Sequence, residues 1–414
     1  GGNPATAILN GSWNNVTPAS GPSARELHEM AFYTSQGKMI ILGGTNESGS
    51  QNDTWAYDPA ANTWTNRNPT WSAGLSGLLK EQTLAYDPVN DVMIMLGFGN
   101  FKAYNETWEY NYNANTWTKL TPTVVGGDYS STKSDLAYDS RAGIFIMYKG
   151  WNGTTFYNDT WQFNRSSLTW TKLNPTFSTG MVAAGDKQLV YDSVNDIFVL
   201  FGGWSSAAGY LNETWIYNYS ANSWTKMNPT ISGGGQDLTP RYMHSMAFDA
   251  SAGKTLMYGG SKDGVQLNDT WVYDYPTNTW TKLAPTMIGG TLPKIEESAL
   301  SYDSVHNQMV LFGGYGSMTE VNLGGTWIYK KDIINAAITW NTDENSNSEV
   351  RYGTTTGLGS EESSTTMTKN HIITLTNLQG NTIYYYELQS TDASNNTAID
   401  DNNGQYYTFD TSDI

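Results

Sequence analysis

Six short stretches of this 414-residue chain place ionisable side chains just ahead of an apolar run. They are Arg25-Glu26-Leu27-His28, Glu81-Gln82, Lys133-Ser134-Asp135, Asp186-Lys187, Arg241-Tyr242-Met243-His244 and Glu296-Glu297. Carboxylates, imidazoles and bases gathered in that mixture could serve as general acid, general base or metal ligand. They could equally satisfy one another and ordered water around a narrow polar channel. No spacing among them specifies a reaction.

A second set is aromatic. Phe101, Tyr104, Trp151, Trp204 and Tyr315 fall in segments between apolar runs, where exposed rings would stack on sugars and buried ones would pack the loops together. A third set is the Asn-x-Ser/Thr sequons at Asn10, Asn15, Asn46, Asn52, Asn105, Asn152, Asn158, Asn164, Asn212, Asn218, Asn268 and Asn395. Each could carry a glycan if the protein is secreted, although a chain this rich in Asn and Thr contains such triplets by chance. Asp343-Glu344 and Asp400-Asp401 offer carboxylates to a structural Ca²⁺ but match no EF-hand spacing, so a solvated acidic surface is the plainer reading.

Bulk properties narrow the field. A formal charge of −17 argues against nucleic acid or an anionic membrane as partner. The chain has no cysteine, which excludes disulfides, thiolate metal sites and cysteine nucleophiles. No apolar run reaches the length of a membrane span and no signal peptide is visible.

The elements that must position these residues repeat. Asp/Glu-Thr-Trp occurs at Trp55, Trp108, Trp161, Trp215 and Trp271, and Thr326-Trp327 is a sixth copy; the spacings are 53, 53, 54, 56 and 56 residues. A second tryptophan follows at Trp64, Trp117, Trp170, Trp224 and Trp280. Within a copy, Thr83-Leu84-Ala85-Tyr86-Asp87 and Val92-Met93-Ile94-Met95-Leu96 read as strands around a Pro88-Val89-Asn90-Asp91 turn. Thr107-Trp108-Glu109-Tyr110 and Thr116-Trp117-Thr118-Lys119-Leu120 follow as a second hairpin. Four strands per period of this length predict the blades of a propeller.

Glycine doublets at Gly43-Gly44, Gly202-Gly203, Gly259-Gly260 and Gly313-Gly314, each followed by the Tyr and Trp of the next hairpin, resemble the kelch repeat over roughly residues 1–330. His28 and His244, three residues after Arg25 and Arg241, are similar to that family's Arg–His pair. The resemblance implies a β-propeller whose loops converge on a channel mouth. Residues there would be Arg25, Glu26, His28, Glu81, Lys133, Asp186, Lys187, Arg241, His244 and Glu296. The copper site of the kelch enzyme galactose oxidase needs a cysteine that is absent here, while a sialic acid epimerase-like site would draw on Arg25, His28, Arg241 and His244.

The sixth copy lacks its second tryptophan, and Trp13-Asn14-Asn15-Val16-Thr17-Pro18 aligns with Trp117-Thr118-Lys119-Leu120-Thr121-Pro122. We therefore expect an all-β chain with a six-bladed kelch-type propeller over residues 1–331, closed by the N-terminal strand. Residues 332–414 form a small C-terminal β-sandwich in this reading. Leu378-Gln379-Gly380-Asn381-Thr382-Ile383-Tyr384 resembles the tyrosine corner of a fibronectin type III domain, and the Trp340 strand with the Ser390-Thr391-Asp392 ending resembles the version that precedes purple acid phosphatase domains. The short join from Lys330 to Ala336 leaves that domain's first strand short or missing.

The function expected is a non-catalytic extracellular or cell-surface protein. It would bind proteins or glycans, or assemble with copies of itself by strand donation into a filament. A carbohydrate-active enzyme is the alternative.

Overall fold

The computed structural model describes residues 11–74, 79–97, 105–233, 238–316, 321–331, 334–378 and 382–411. The described residues are almost entirely strand and turn; one single-turn 3-10 helix spans Thr34–Gln36. The chain divides into two compact units, the larger being Ser12–Lys330 and the smaller taking in the residues from Lys331 onward.

Among the described residues the larger unit holds six large sheets, each built on four antiparallel strands, and several two- or three-stranded ones. In the second of the six, Thr83–Asp87, Val92–Leu96, Thr107–Asn111 and Thr116–Leu120 pair in sequence order. The first hairpin turns because the Asp87 carboxylate accepts the Val89 and Asn90 amides at 2.9 and 3.1 Å, with Asp91 in the left-handed region. Asp139, Asp192, Asp249 and Asp303 make the same two-amide turn in the sheets that follow. Val92–Leu96 is buried along its whole length, as a strand covered on both faces must be.

The sixth sheet takes its outer strand from the other end of the unit. Ser12–Asn15 runs antiparallel to Thr326–Lys330, with Trp13 opposite Tyr329 and Asn15 opposite Trp327. The innermost strands lie side by side from Glu29–Tyr33 through Thr83–Asp87, Asp135–Asp139, Gln188–Asp192 and Ser245–Asp249 to Ala299–Asp303, which touches Glu29–Tyr33 again. Six apolar clusters fill the spaces between neighbouring sheets, the last joining Phe32, Ile41 and Trp64 to Val310, Phe312 and Ile328.

The second tryptophan of each sheet also reaches across. Its indole N–H donates to the threonine that precedes the first tryptophan of the neighbouring sheet. The pairs are Trp117 to Thr54 at 3.0 Å, Trp170 to Thr107 at 2.9 Å, Trp224 to Thr160 at 2.8 Å and Trp280 to Thr214 at 2.9 Å. Trp13 to Thr270 at 3.0 Å and Trp64 to Thr326 at 3.1 Å complete the set. The Asp or Glu before that threonine acts within its own sheet. Glu106 takes the Trp108 indole N–H and the Lys119 ammonium, and Glu213 does the same for Trp215 and Lys226. Each residue of the Asp/Glu-Thr-Trp triplet thus has a packing or hydrogen-bonding role.

In the smaller unit one long strand, Ile334–Gly353, shifts register between Asn341 and Ser346. It pairs with Ser360–Leu378 and with Ile383–Thr391. Ala336, Ile338, Val350, Ile373, Leu375 and Tyr384 form its core, with Tyr384 stacked on Phe409 at 5.3 Å. Among the described residues no strand pairs with the second edge of the stretch from Ala336 to Asn341.

Candidate functional site

Six loops enter the innermost strands, and each carries one left-handed residue: Leu27, Glu81, Lys133, Asp186, Met243 and Glu297, with φ between 54 and 57°. None is glycine, so the conformation is held by the surrounding fold. Backbone bonds tie these loops to one another: Leu27 N–H to Glu297 O at 3.3 Å, Glu81 to Leu27 and Asp186 to Lys133 at 3.2 Å, and Glu297 to Met243 at 2.9 Å. The loops therefore converge, and so do their side chains.

The convergence is acidic. Lys133 bonds Asp186 at 2.9 Å, and although burial works to lower its ammonium pKa, the charges of Asp186, Glu81 and Glu297 outweigh it and raise the value. Burial pushes Glu297 well above the carboxylate range, and Glu26, Glu296 and Asp186 push it further. Glu26 is raised by burial while its hydrogen bond with Glu297 opposes that. Glu81 accepts the Thr132 hydroxyl at 2.7 Å, and Glu296 accepts Gln266 at 2.8 Å as well as the Ser261 hydroxyl.

The Arg–His residues do not belong to this mouth, which corrects the sequence expectation for four positions. Arg25 is 1% exposed and forks onto Asp53 at 2.6 and 3.0 Å while holding Gly43 O at 2.8 Å. Arg241, fully buried, does the same with Asp269 and Gly259. His28 contacts Phe312 O at 3.1 Å and sets its ring edge-on to Phe312; His244 sits edge-on to Phe201. Burial, then the adjacent arginine, holds each imidazole down to about 3, so both are neutral. The glycine doublets make room for these rings: a Cβ on Gly313 would lie 2.6 Å from His28 Cε1, and one on Gly202 2.7 Å from His244 Cε1. Lys187 is also sealed, 2% exposed, with its Nζ 5.3 Å from the Tyr148 ring centroid and its pKa lowered to about 8 by burial.

The loop aromatics fare differently. Trp151, Trp204 and Tyr315 are half-buried and bridge directly to the segments that lead into the inner strands, opposite Thr132, Gly185 and Glu296. Phe156, which carries no sequence signal of its own, lies between Trp151 and Trp204 at 6.3 and 5.6 Å between ring centroids. Phe101 and Tyr104 lie outside the described residues, as does Asn10. Of the other sequon asparagines, Asn15, Asn52, Asn105, Asn212, Asn268 and Asn395 are exposed and Asn46, Asn152, Asn158, Asn164 and Asn218 are half-buried.

Behind the mouth, a cavity of about 360 Å³ follows the inner strands. Phe32, Tyr86, Tyr138, Tyr191, Phe248 and Tyr302, one from each strand, line it beyond Glu29 and Asp135. Asp135 accepts the Leu189 and Leu136 amides at 2.7 and 2.8 Å, yet burial raises it to about 7. Burial and the Asp135 charge push Glu29 well above its usual range. Glu29 does not stand out in the sequence, because Thr83, Gln188, Ser245 and Ala299 occupy its position in four copies and Asp135 in one copy shares its carboxylate. Among the described residues no group of three or more His, Asp or Glu could hold a metal ion, and no helix is long and apolar enough to cross a membrane.

The KLHDC2/KLHL20/DRC7 Kelch-repeats domain model matches residues 6–136 and 189–397. An F-box/kelch-repeat protein of Arabidopsis thaliana is 31% identical over 203 residues, 45% of this chain and 39% of that protein. Kelch domain-containing protein 10 of Xenopus tropicalis is 23% identical over 237 residues, 55% of this chain and 54% of that protein. The host cell factor homologue of Caenorhabditis elegans is 24% identical over 250 residues, 56% of this chain and 31% of that protein. The matches thus span about half or less of these relatives.

Proposed function

Since the chain belongs to the KLHDC2/KLHL20/DRC7 Kelch-repeats domain family, we propose that Ser12–Lys330 is a six-bladed kelch propeller that grips a protein partner at the channel mouth. The observation that carries this reading is the makeup of that mouth. Glu81, Asp186 and Glu297 act on Lys133, Glu26 and Glu296 act on Glu297, and Lys80 acts on Glu26, so acids outnumber bases there; the half-exposed rings of Trp151, Phe156 and Trp204 lie along the adjoining segments at Thr132 and Gly185. Carboxylates flanked by indoles fit a lysine or arginine side chain, which gains an ion pair and a cation–π contact together.

The test uses a fluorescein-labelled tetralysine peptide and its tetraglutamate counterpart, with binding read by anisotropy. Tetralysine should bind, weaken between about 50 and 300 mM salt, and lose at least ~10-fold in affinity in Trp151→Ala/Trp204→Ala. Equal binding of tetraglutamate, or no effect of the double substitution, would sink the reading. The sugar-processing alternative has no geometric support, because Arg25, His28, Arg241 and His244 are sealed between sheets.

The smaller unit is read as a fibronectin type III-like sandwich lacking its first strand, whose open edge beside Ala336 to Asn341 would accept a strand from another copy. Light scattering across a concentration series should then report self-association. Placement outside the cell is supported by the exposed sequons and is checked by a glycosidase-induced mass shift of the native protein.

A further inference from the structure

Among the described residues five of the six large sheets carry an extra outermost strand, and one does not. For those five, the chain leaving the outer strand of the preceding sheet runs on through Pro-Thr-apolar and lies parallel to their own outer strand. Thr70–Trp71, Thr123–Val125, Thr176–Phe177, Thr230–Ser232 and Thr286–Ile288 do this. In every case the residue after the threonine sits opposite a second-column tryptophan: Trp71 opposite Trp117, Phe177 opposite Trp224, Ile231 opposite Trp280. The backbone bonds repeat too, Thr70 N–H to Asn115 O at 3.1 Å and Ser72 N–H to Trp117 O at 2.9 Å, then Thr176 to Asn222 and Ser178 to Trp224, both at 3.0 Å.

The first sheet ends at Thr63–Asn66 with no such strand among the described residues. The reason is legible in the linker that should supply it. Pro18-Ala19-Ser20-Gly21 stands where Pro69-Thr70-Trp71-Ser72 stands one repeat later, without the threonine or the apolar residue. That linker must also reach Arg25 ahead of the inner strand, and Gly21 lies against the Trp64 indole, where a Cβ would come 2.8 Å from its Cδ1, with no backbone bond to Thr63–Asn66 among the described residues. Thr63 is consequently exposed where Thr116, Thr169, Ser223 and Thr279 are half-buried. Among the described residues the Asn62 and Trp64 carbonyls lack the amide donors that Asn115 and Trp117 receive.

We propose that this edge is a strand-addition site for a partner protein, which supplies an extended Pro-Thr-aromatic or Pro-Thr-aliphatic segment parallel to Thr63–Asn66. The five internal copies of the interaction fix its direction, its register and its side-chain preference, with threonine opposite Thr63 and the apolar residue over Trp64. Main-chain bonds supply attachment and the one apolar contact supplies selection. The site is separate from the channel mouth and stands whether or not the mouth binds cations.

The probe is a synthetic peptide with the sequence of residues 68–73, Asn-Pro-Thr-Trp-Ser-Ala, and the readout is amide hydrogen exchange of the intact chain by NMR. In the parallel register the Trp64 amide faces the open edge. It should exchange at least ~10-fold faster than the amides of Trp117, Trp170, Trp224 and Trp280, and slow on adding peptide. A peptide N-methylated at threonine cannot donate to Asn62 O and should leave Trp64 unprotected. Three outcomes overturn the proposal. They are a Trp64 amide already as slow as the others, equal protection by both peptides, and protection that rises with protein concentration alone, which would make a second copy the occupant.

Discussion

Replacing Thr160 with valine isolates one bond of the indole–threonine series. Thr160 is fully buried, and its hydroxyl accepts the Trp224 indole N–H at 2.8 Å from the neighbouring sheet. Valine keeps the branched shape and deletes the acceptor, so the cost is that of an indole N–H left buried without a partner, about 1–3 kcal/mol. Trp224→Phe removes the donor as well as some ring area, and the double variant should recover about 1 kcal/mol relative to the sum of the singles. Urea unfolding monitored by tryptophan fluorescence and circular dichroism measures all three. Trp161 is the internal control, since its indole N–H has no hydrogen-bond partner among the described residues. Coupling indistinguishable from zero, or a Thr160→Val change within ~0.3 kcal/mol of wild type, would refute the idea that these bonds stitch the sheets.

Three further outcomes are expected. Arg241→Met leaves Asp269 mostly buried without its fork of donors and should cost about 3–5 kcal/mol in urea unfolding, with Arg241→Lys recovering only part because one ammonium cannot span both oxygens. Asp135 is raised from 3.8 to about 7, so the folded state binds its proton more tightly than the unfolded chain and loses stability as pH climbs from about 4 to about 7; Asp135→Asn should gain on wild type in melting temperature across that range and hold a constant lead above it. His244 is lowered to about 3, so its contribution is lost as pH falls below about 6.5 toward 3, and His244→Gln should flatten that acid limb relative to wild type.

Much of the architecture is visible in the tryptophan spacing, because a residue type that fills a fixed gap between sheets must recur at the period of the sheets. Trp13 aligns with Trp117 for the same reason. What the threonines do is hidden: before a tryptophan in a strand, threonine reads as a β-former, and nothing local reveals that Thr54 or Thr326 serves an indole from another sheet. For Arg25, His28, Arg241 and His244 the sequence places the right height along the axis but the wrong side. Sequence position fixes the layer, whereas the opposing glycines Gly313 and Gly202 decide that the rings point between sheets. Glu81, Lys133, Asp186 and Glu297 give no sign of left-handed backbone, since none is glycine or asparagine. In the smaller unit the stretch from Ser360 to Asn370 does not read as strand because Ser, Thr, Glu and Met along it show no apolar alternation.

The N-terminal strand fastens the sixth sheet, and one engineered cross-link tests this. The chain has no cysteine, so Ser12→Cys/Lys330→Cys introduces its only thiols, at positions that face each other across the junction. Antiparallel partners lie about 4.5–5.5 Å apart at Cα, within reach of a disulfide. Oxidation of the protein at high dilution should give an intramolecular disulfide and raise the melting temperature. Thiols that stay free, or that link only between molecules, would contradict the fastening.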